Sequence, residues 1–170
     1  MSDARWILLL VLAAGVRLAL LAAATPESVT TPDSEDYWRL SGNLVKDGAF
    51  ARGGRPEVFR TPGYPVALLP ARASAGGKEA PIEDGPWRAF LAAQVSADVL
   101  CVVAVYALGW FLAGPAVGGG AALLYAICPL AAAQSCRLLS DSPYTLLFTL
   151  SLLLWVGYRR TGRTWAAGVA

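Results

Sequence analysis

The sequence predicts an all-α, multipass membrane protein with four transmembrane helices and a long outer loop that carries a short surface helix. Two observations predict this fold class. The chain of 170 residues is 56% hydrophobic and only 15% charged, which is more apolar than is usual for a soluble domain. Its apolar residues also fall into four runs, each near the length that crosses a bilayer.

The first run covers residues 6–24. A helix of this length spans about 28 Å, close to the ~30 Å hydrocarbon core of a bilayer. A cleaved signal peptide is the alternative, since three alanines end the run. Arg17 argues against it, because the apolar segment of a signal peptide rarely carries a charge at its centre.

Three more runs predict helices at 87–114, 116–134 and 143–158. The first of these begins at Trp87, and tryptophan is enriched where a helix meets the membrane interface. Glycines and Pro129 interrupt the next run, which membrane helices tolerate when neighbouring groups satisfy the freed backbone.

The basic stretch "RRTGR" at 159–163 orients the four helices. Basic residues next to a span favour the cytoplasmic side, so counting back predicts a cytoplasmic N-terminus and an outer loop over 25–86. The predicted location is the inner (plasma) membrane. Because "TWAAGVA" then resembles the start of another apolar segment, we expect the chain to be the N-terminal part of a longer protein.

Within the outer loop, "EDYWRLSGNLVKDGAF" predicts a short amphipathic helix on the membrane surface. Its apolar residues recur at helical spacing: Tyr37, Leu40, Leu44 and Val45. Ser34 or Asp33 is the expected N-cap, and Gly48 is the expected end of the helix.

Composition excludes several classes of function. The net charge of +2 gives no basic footprint for a nucleic acid. The chain has three cysteines without metal-ligand spacing and no histidine, which argues against a disulfide framework, a zinc site and a histidine triad. Any acid–base chemistry must therefore use aspartate or glutamate.

Three carboxylates, Asp33, Glu35 and Asp36, stand just beyond the first apolar run. A structural explanation exists for this stretch, because Asp33 could simply cap the surface helix. Two other motifs also have structural explanations. "RTPGYP" could be only a rigid turn with Arg60 at lipid headgroups, and the charge of Asp141 could stabilise the N-terminus of the fourth helix.

Three motifs together resemble the N-terminal part of bacterial membrane glycosyltransferases of the GT-C fold, relatives of the dolichyl-phosphate-mannose protein mannosyltransferases and the aminoarabinose transferase. They are "PDSEDYWRLSGNLVKDGAF", "FRTPGYPVALLP" and "LLSDSPYTLLFTL". The resemblance covers nearly the whole chain. It implies that residues 1–170 are the first part of a GT-C-like transmembrane domain, and that the enzyme transfers a sugar from a polyprenyl phosphate to an acceptor glycan, lipid or protein on the outer face.

The resemblance also implies roles for individual residues. Asp33, four residues before Tyr37, matches the catalytic base of the family. Tyr37 and Asp141 are the implied substrate-binding residues on the same face. Arg60 and Thr61 stand where relatives carry an acidic–basic pair. No metal ligand is assigned by the resemblance, which leaves a divalent metal open as a cofactor.

The chemistry of such a transfer agrees with an acid beside the bilayer. The phosphosugar of a membrane-held lipid lies at headgroup level, and a positioned carboxylate that takes a hydroxyl proton accelerates transfer by roughly 10²–10⁴-fold. Inversion at one anomeric carbon needs one base, unlike a glycosidase with two carboxylates. The leaving phosphate needs positive charge, for which the candidates are Arg55, Arg60 and Arg137.

Two other functions remain open on the sequence. One is a non-catalytic scaffold or assembly subunit of an envelope complex, whose outer loop binds a partner. The other is part of a transporter or flippase, given the charges inside the apolar runs. Those charges, Arg17 and Asp98, lie at similar depths, about 16 Å along their helices, and we expect them to form an ion pair that fixes the first helix against the second.

Overall fold

In the computed structural model, which describes residues 3–75 and 81–161, the chain is mostly helical (79%). The all-α class is confirmed. In chain order the helices are α1 (Asp3–Ala23), α2 (Pro26–Val29), α3 (Pro32–Asp47), α4 (Gly63–Ala67), α5 (Leu69–Ser74), α6 (Trp87–Ala113), α7 (Pro115–Ile127), α8 (Pro129–Ser135) and α9 (Asp141–Thr161). A 3-10 turn covers Ile82–Asp84. The "TWAAGVA" segment and the end of the basic stretch lie outside the described residues.

The long helices coincide with the predicted apolar runs, but they differ as candidate membrane spans. Among the described residues, α6 alone has both the length and the mean hydropathy, 2.0, expected of a single straight span. The helices α7 and α8 meet the same criteria together, as one bent span. The apolar part of α1, Ile7–Ala23, is shorter.

The prediction of one continuous helix over 116–134 is wrong. The chain bends by 59° between α7 and α8, and Cys128 at the bend has an extended backbone with φ −64° and ψ 115°. Pro129 explains the break, because proline lacks an N–H and forces the residue before it out of the helical region.

The α6 helix is at the centre and packs against α1, α7 and α9. Its contact with α7 depends on two glycines. A Cβ atom added at Gly118 would lie 2.6 Å from the Tyr106 carbonyl oxygen, and one added at Gly109 would lie 2.8 Å from the Gly118 Cα. Any larger residue at either position would therefore push the two helices apart.

The predicted ion pair between Arg17 and Asp98 is confirmed. The Arg17 Nε donates to Asp98 Oδ2, and both side chains are buried. The guanidinium also donates to the carbonyl oxygens of Ala126, at 3.0 Å, and Ala13, at 3.1 Å, while the Tyr125 hydroxyl donates to Asp98 Oδ1 at 2.6 Å. Because α7 ends at Ile127, its last carbonyls lack helical donors, and Arg17 satisfies one of them.

After α1 the chain passes through two successive capping boxes. Thr25 caps α2 through Ser28, and Thr31 caps α3 through Ser34. In the second box the Thr31 hydroxyl accepts from the Ser34 N–H at 3.2 Å, and the Ser34 hydroxyl accepts from the Thr31 N–H at 3.1 Å. The expected N-cap at Ser34 or Asp33 is therefore wrong, because the cap lies two or three residues earlier, at Thr31, and proline follows it in the first turn.

The end of α3 agrees with the prediction. Gly48 has φ 61° and its N–H bonds to the Leu44 carbonyl, the left-handed C-cap that glycine adopts readily. The face of α3 that contains Tyr37 and Trp38 is buried in the core, so this helix packs on the rest of the protein along one side.

Between α3 and α4 lies a small hairpin that the sequence analysis did not predict. Strands β1 (Ala51–Arg52) and β2 (Arg55–Pro56) pair antiparallel, and the two glycines between them have φ 57° and 78°. Such positive angles at both turn residues suit a two-residue hairpin. The "RTPGYP" stretch is also more than a turn, because α4 begins within it and buries Tyr64.

Candidate active site at the loop end of the helices

The loop end of the molecule is the end where α1 finishes and where α6 and α9 begin. One buried cluster joins the end of α1, the start of α6 and the link before α9 to the segments between α1 and α6. Its buried members are Leu21, Ala24, Val29, Tyr37, Trp38, Tyr64, Leu68, Ala71, Ala75, Ile82, Trp87, Leu91, Val95, Cys136, Leu138 and Leu139. The first turn of α3, with its carboxylates, is held at this end by that packing.

Asp33 and Arg60 form an ion pair at the loop end, although 27 positions separate them. The Arg60 Nη2 donates to Asp33 Oδ1 and, at 3.3 Å, to Asp36 Oδ2. The Asp33 side chain is 50% exposed and the Arg60 side chain 27% exposed. Asp33 does not cap α3, since Thr31 does. Its carboxylate is therefore accessible to solvent and adjacent to a cation.

Asp36 is bound by more cations than Asp33. It accepts from Arg39 at 2.6 Å and lies 3.0 Å from Arg52, in addition to Arg60. The hydrogen bond from Arg52 is the largest cause that lowers the pKa of Asp36. Asp36 is thus held as a carboxylate whose oxygens are occupied, which suits it to fix the arginines rather than to accept a proton.

Tyr37 connects this acidic turn to the link between α8 and α9. Its ring lies under the Arg60 guanidinium, 5.5 Å from the centroid to Cζ, a favourable cation–π distance. Its hydroxyl lies 3.3 Å from the Ser140 hydroxyl. Asp33, Tyr37 and Arg60, three of the predicted site residues, are therefore brought together.

A second tyrosine, Tyr64, continues the connection into α6. Its ring packs edge-on against Tyr37, with centroids 5.1 Å apart, and its hydroxyl donates to Gln94 Oε1 at 2.8 Å. The Gln94 amide in turn donates to the Arg137 carbonyl at 2.7 Å and the Ser135 carbonyl at 3.2 Å. Burial raises the pKa of Tyr64, so its hydroxyl stays a donor at any physiological pH.

Sequence reasoning missed Tyr64, Gln94 and Ser140. The signal for Gln94 was present, because a lone amide inside an apolar run must satisfy four hydrogen-bonding sites within the protein. Tyr64 and Ser140 lie within the quoted motifs, but nothing in their spacing indicates their partners.

Arg137 and Asp141 lie beside this network, and both are exposed. Asp141 is in the first turn of α9, directly after Ser140, and its negative charge contributes to the raised pKa of Tyr64. Within the described residues Arg137 and Asp141 form no ion pair with each other. The structure therefore leaves both side chains accessible at the rim of the site.

A groove of about 430 Å³ runs from this rim between α6 and α9, with α4 on its third side. It is lined by Thr61, Gly63, Tyr64, Ala67, Phe90, Ala93, Gln94, Ala97, Ser140, Pro143, Tyr144 and Leu147. Its buried polar members are bonded to other protein groups, so the groove offers an apolar wall to a ligand. Tyr144 and Leu147 are largely exposed at its side.

A metal site is not assembled in the described part of the chain, where no three His, Cys, Asp or Glu side chains converge. The Asp33 and Asp36 carboxylates both pair with Arg60 instead.

Comparison of the chain with protein-family models, with curated proteins and with solved structures finds no match. The site must therefore be interpreted from its own geometry.

Proposed function

We propose that this chain belongs to a membrane glycosyltransferase that moves a sugar from a polyprenyl-phosphate donor to an acceptor at the outer face of the plasma membrane. The observation that carries the proposal is the placement of the Asp33–Arg60 pair beside an apolar groove between α6 and α9. A lipid phosphate has two parts that match this arrangement: an apolar chain that suits the groove and an anionic head that suits Arg60.

The proposal requires the long helices to cross the bilayer four times, with α7 and α8 as one bent span and the N-terminus in the cytoplasm. Arg159 and Arg160 in the last turn of α9 support this orientation through the positive-inside rule. The loop end, with Asp33, then lies on the outer side.

In the proposed complex the polyprenyl chain occupies the groove and its phosphate contacts Arg60. A guanidinium binds phosphate through two parallel hydrogen bonds, so the phosphate competes with Asp33 for Arg60. Arg137 and Asp141 at the rim are available to the phosphate and to sugar hydroxyls respectively. The phosphate thus replaces Asp33 as a partner of Arg60, which Asp36 also contacts at 3.3 Å.

The transfer step then needs one base. The acceptor hydroxyl oxygen attacks the anomeric carbon, and its proton passes to Asp33 once Arg60 has turned to the phosphate. The bond between the anomeric carbon and the phosphate oxygen breaks, and the electron pair stays on that oxygen, where Arg60 stabilises the added charge. The anomeric configuration inverts. Tyr37 keeps Arg60 above its ring during the exchange.

The decisive experiment measures sugar transfer in membranes that contain the full-length protein and radiolabelled polyprenyl-phosphate sugars. Asp33→Asn should lower the rate by roughly 10²–10⁴-fold, because an amide has the shape of the carboxylate but accepts no proton. Glu35→Gln is the matched control, since Glu35 lies two residues away and is exposed. Full activity of Asp33→Asn would refute Asp33 as the base.

A transporter or flippase is the second candidate, and the bend between α7 and α8 favours it. Broken helices with nearby charges form the substrate sites of many transporters. Here, however, Arg17 and Asp98 bond each other and the end of α7, so these charges already have partners. Movement of a fluorescent lipid across vesicles without sugar transfer would favour this second function.

A further inference from the structure

Two apolar side chains protrude from the loop at residues 57–60, which we call the Phe59 loop. Val58 is 87% exposed and Phe59 is 93% exposed, the highest values for large apolar side chains in the described part of the chain. The next most exposed apolar residues lie on the helices α1, α7, α8 and α9. Two adjacent apolar side chains at the tip of a polar segment are typical of an interaction surface.

The protrusion is built by specific hydrogen bonds. The Glu57 carboxylate accepts from the Phe59 N–H at 2.6 Å and from Arg52 Nε at 2.7 Å. The Glu57 N–H donates to the Phe50 carbonyl at 2.9 Å. These bonds tie the loop to the hairpin and hold the Phe59 backbone, so the exposed side chains are presented by a fixed turn.

The Phe59 loop also directly precedes Thr61, a lining residue of the groove, and we call that end of the groove its mouth. Arg60 follows Phe59 and pairs with Asp33, and Thr61 lines the groove itself. If the groove receives a lipid chain, its mouth lies at headgroup level, and the loop lies at that level with it.

The charge beside the apolar tip fits a phospholipid headgroup. Val58 and Phe59 line an open cleft of about 330 Å³ that also contains Arg52, Arg55, Arg60, Asp36 and Glu57. Arg52 and Arg60 pair with carboxylates. The three arginines outnumber the two acids, and Arg55, which is exposed, supplies the excess positive charge. An arginine beside an aromatic residue is common where a protein meets phosphate and acyl chains together.

We propose that Val58 and Phe59 insert into the outer lipid leaflet and that Arg55 binds a phospholipid phosphate, which anchors the mouth of the groove to the bilayer. The inference rests on the membrane location in the proposed function and is independent of the transfer chemistry. The other partner that the cleft could take is a water-soluble anionic sugar, which would require the loop to face water.

The test is a spin label at Phe59→Cys in vesicles of phosphatidylcholine and phosphatidylglycerol. Cys101 and Cys136 are buried but Cys128 is half-buried, so the label is introduced into a Cys128→Ser chain, and that chain without the Phe59 change gives the background labelling. Collision rates with oxygen report contact with lipid, and those with a water-soluble nickel complex report contact with water. Since Phe59 is exposed, its replacement removes little packing and the labelled chain should fold.

Two control positions make the result decisive. Lys46→Cys on α3 should behave as a water-facing site, and Leu147→Cys on α9 as a lipid-facing site. We expect the ratio of oxygen to nickel collisions at position 59 to be severalfold above that at 46 and to resemble that at 147. A ratio at position 59 equal to that at position 46 would overturn this inference and leave the proposed function untouched.

If position 147 also gave the ratio of a water-facing site, the membrane location would fail and the inference with it. The role of the arginine is tested separately by Arg55→Gln in the chain labelled at position 59. This change should lower the ratio in vesicles that contain phosphatidylglycerol. An unchanged ratio would overturn the assignment of Arg55 to the phosphate.

Discussion

Two arginine–aspartate pairs in this protein have opposite surroundings. Arg17 and Asp98 are buried, with exposed fractions of 0% and 1%, and each also bonds a neighbouring helix group. Arg60 and Asp33 lie at the loop end and are partly exposed. A buried pair that also bonds neighbouring helices holds those helices together, whereas a pair open to solvent can exchange partners with a ligand.

The largest expected effect comes from reversing one charge of the buried pair. Arg17→Asp would place two carboxylates together in the interior, and Asp98→Arg would place two guanidinium groups there, so either change should abolish most of the folded yield. The double change should recover part of the yield, measured by size-exclusion chromatography. Recovery should be incomplete, because Ala126 would lose its donor and Tyr125 its acceptor. No recovery would mean that the two charges act through different partners.

Removing only one charge compares the two pairs directly. Asp98→Asn leaves the Arg17 charge buried without its counter-ion, which should lower the free energy of unfolding by about 3–5 kcal/mol. Asp33→Asn, at a half-exposed site, should change it by about 0–1 kcal/mol. Thermal unfolding in detergent measures both. Equal losses of stability in the two variants would contradict the distinction between a structural and an exchangeable pair.

A smaller effect should separate the shape of the Arg60 side chain from its charge. Arg60→Ala should raise the KM for the lipid donor by roughly tenfold, the loss expected for a hydrogen bond to a charged group. Arg60→Lys should raise it less, since lysine keeps the charge but not the planar fork. Arg39→Ala, which removes another partner of Asp36, is the control. Unchanged kinetics for both Arg60 variants would exclude Arg60 from phosphate binding.

The smallest effect concerns acidic pH. Since Arg52 lowers the pKa of Asp36 in the folded protein, this carboxylate stabilises the fold above its unfolded pKa of about 3.9. That contribution disappears as the pH falls through the lower folded-state pKa. The difference in unfolding temperature between the parent and Asp36→Asn should therefore shrink steadily below about pH 4. A difference that stays constant down to pH 2 or so would contradict the contact.

The sequence was sufficient for features that depend on one local pattern. Apolar runs predicted α1, α6 and α9, and Gly48 predicted the end of α3. The Arg17–Asp98 pair also followed from the sequence, because the rise per residue fixes the depth of a charge along a helix.

Other features depend on contacts between distant segments. Nothing near Asp33 indicates that Arg60 is its partner, because the intervening chain returns to α3 through a hairpin whose contacts with that helix, such as Asn43 donating to the Ala51 carbonyl, join separate segments. The sequence could not show whether the helix continues through Pro129 or breaks at Cys128. A break leaves carbonyl groups without helical donors, and it is stable only if a neighbouring donor reaches them. Here that donor is Arg17.

The contact between Arg17 and the Ala126 carbonyl has a consequence for biosynthesis. A ribosome makes α1 and α6 before α7, and chains fold as they emerge. The guanidinium of Arg17 and the carboxylate of Asp98 can therefore meet before the Ala126 carbonyl has left the ribosome. We expect the bend between α7 and α8 to form last, against helices that this ion pair already joins.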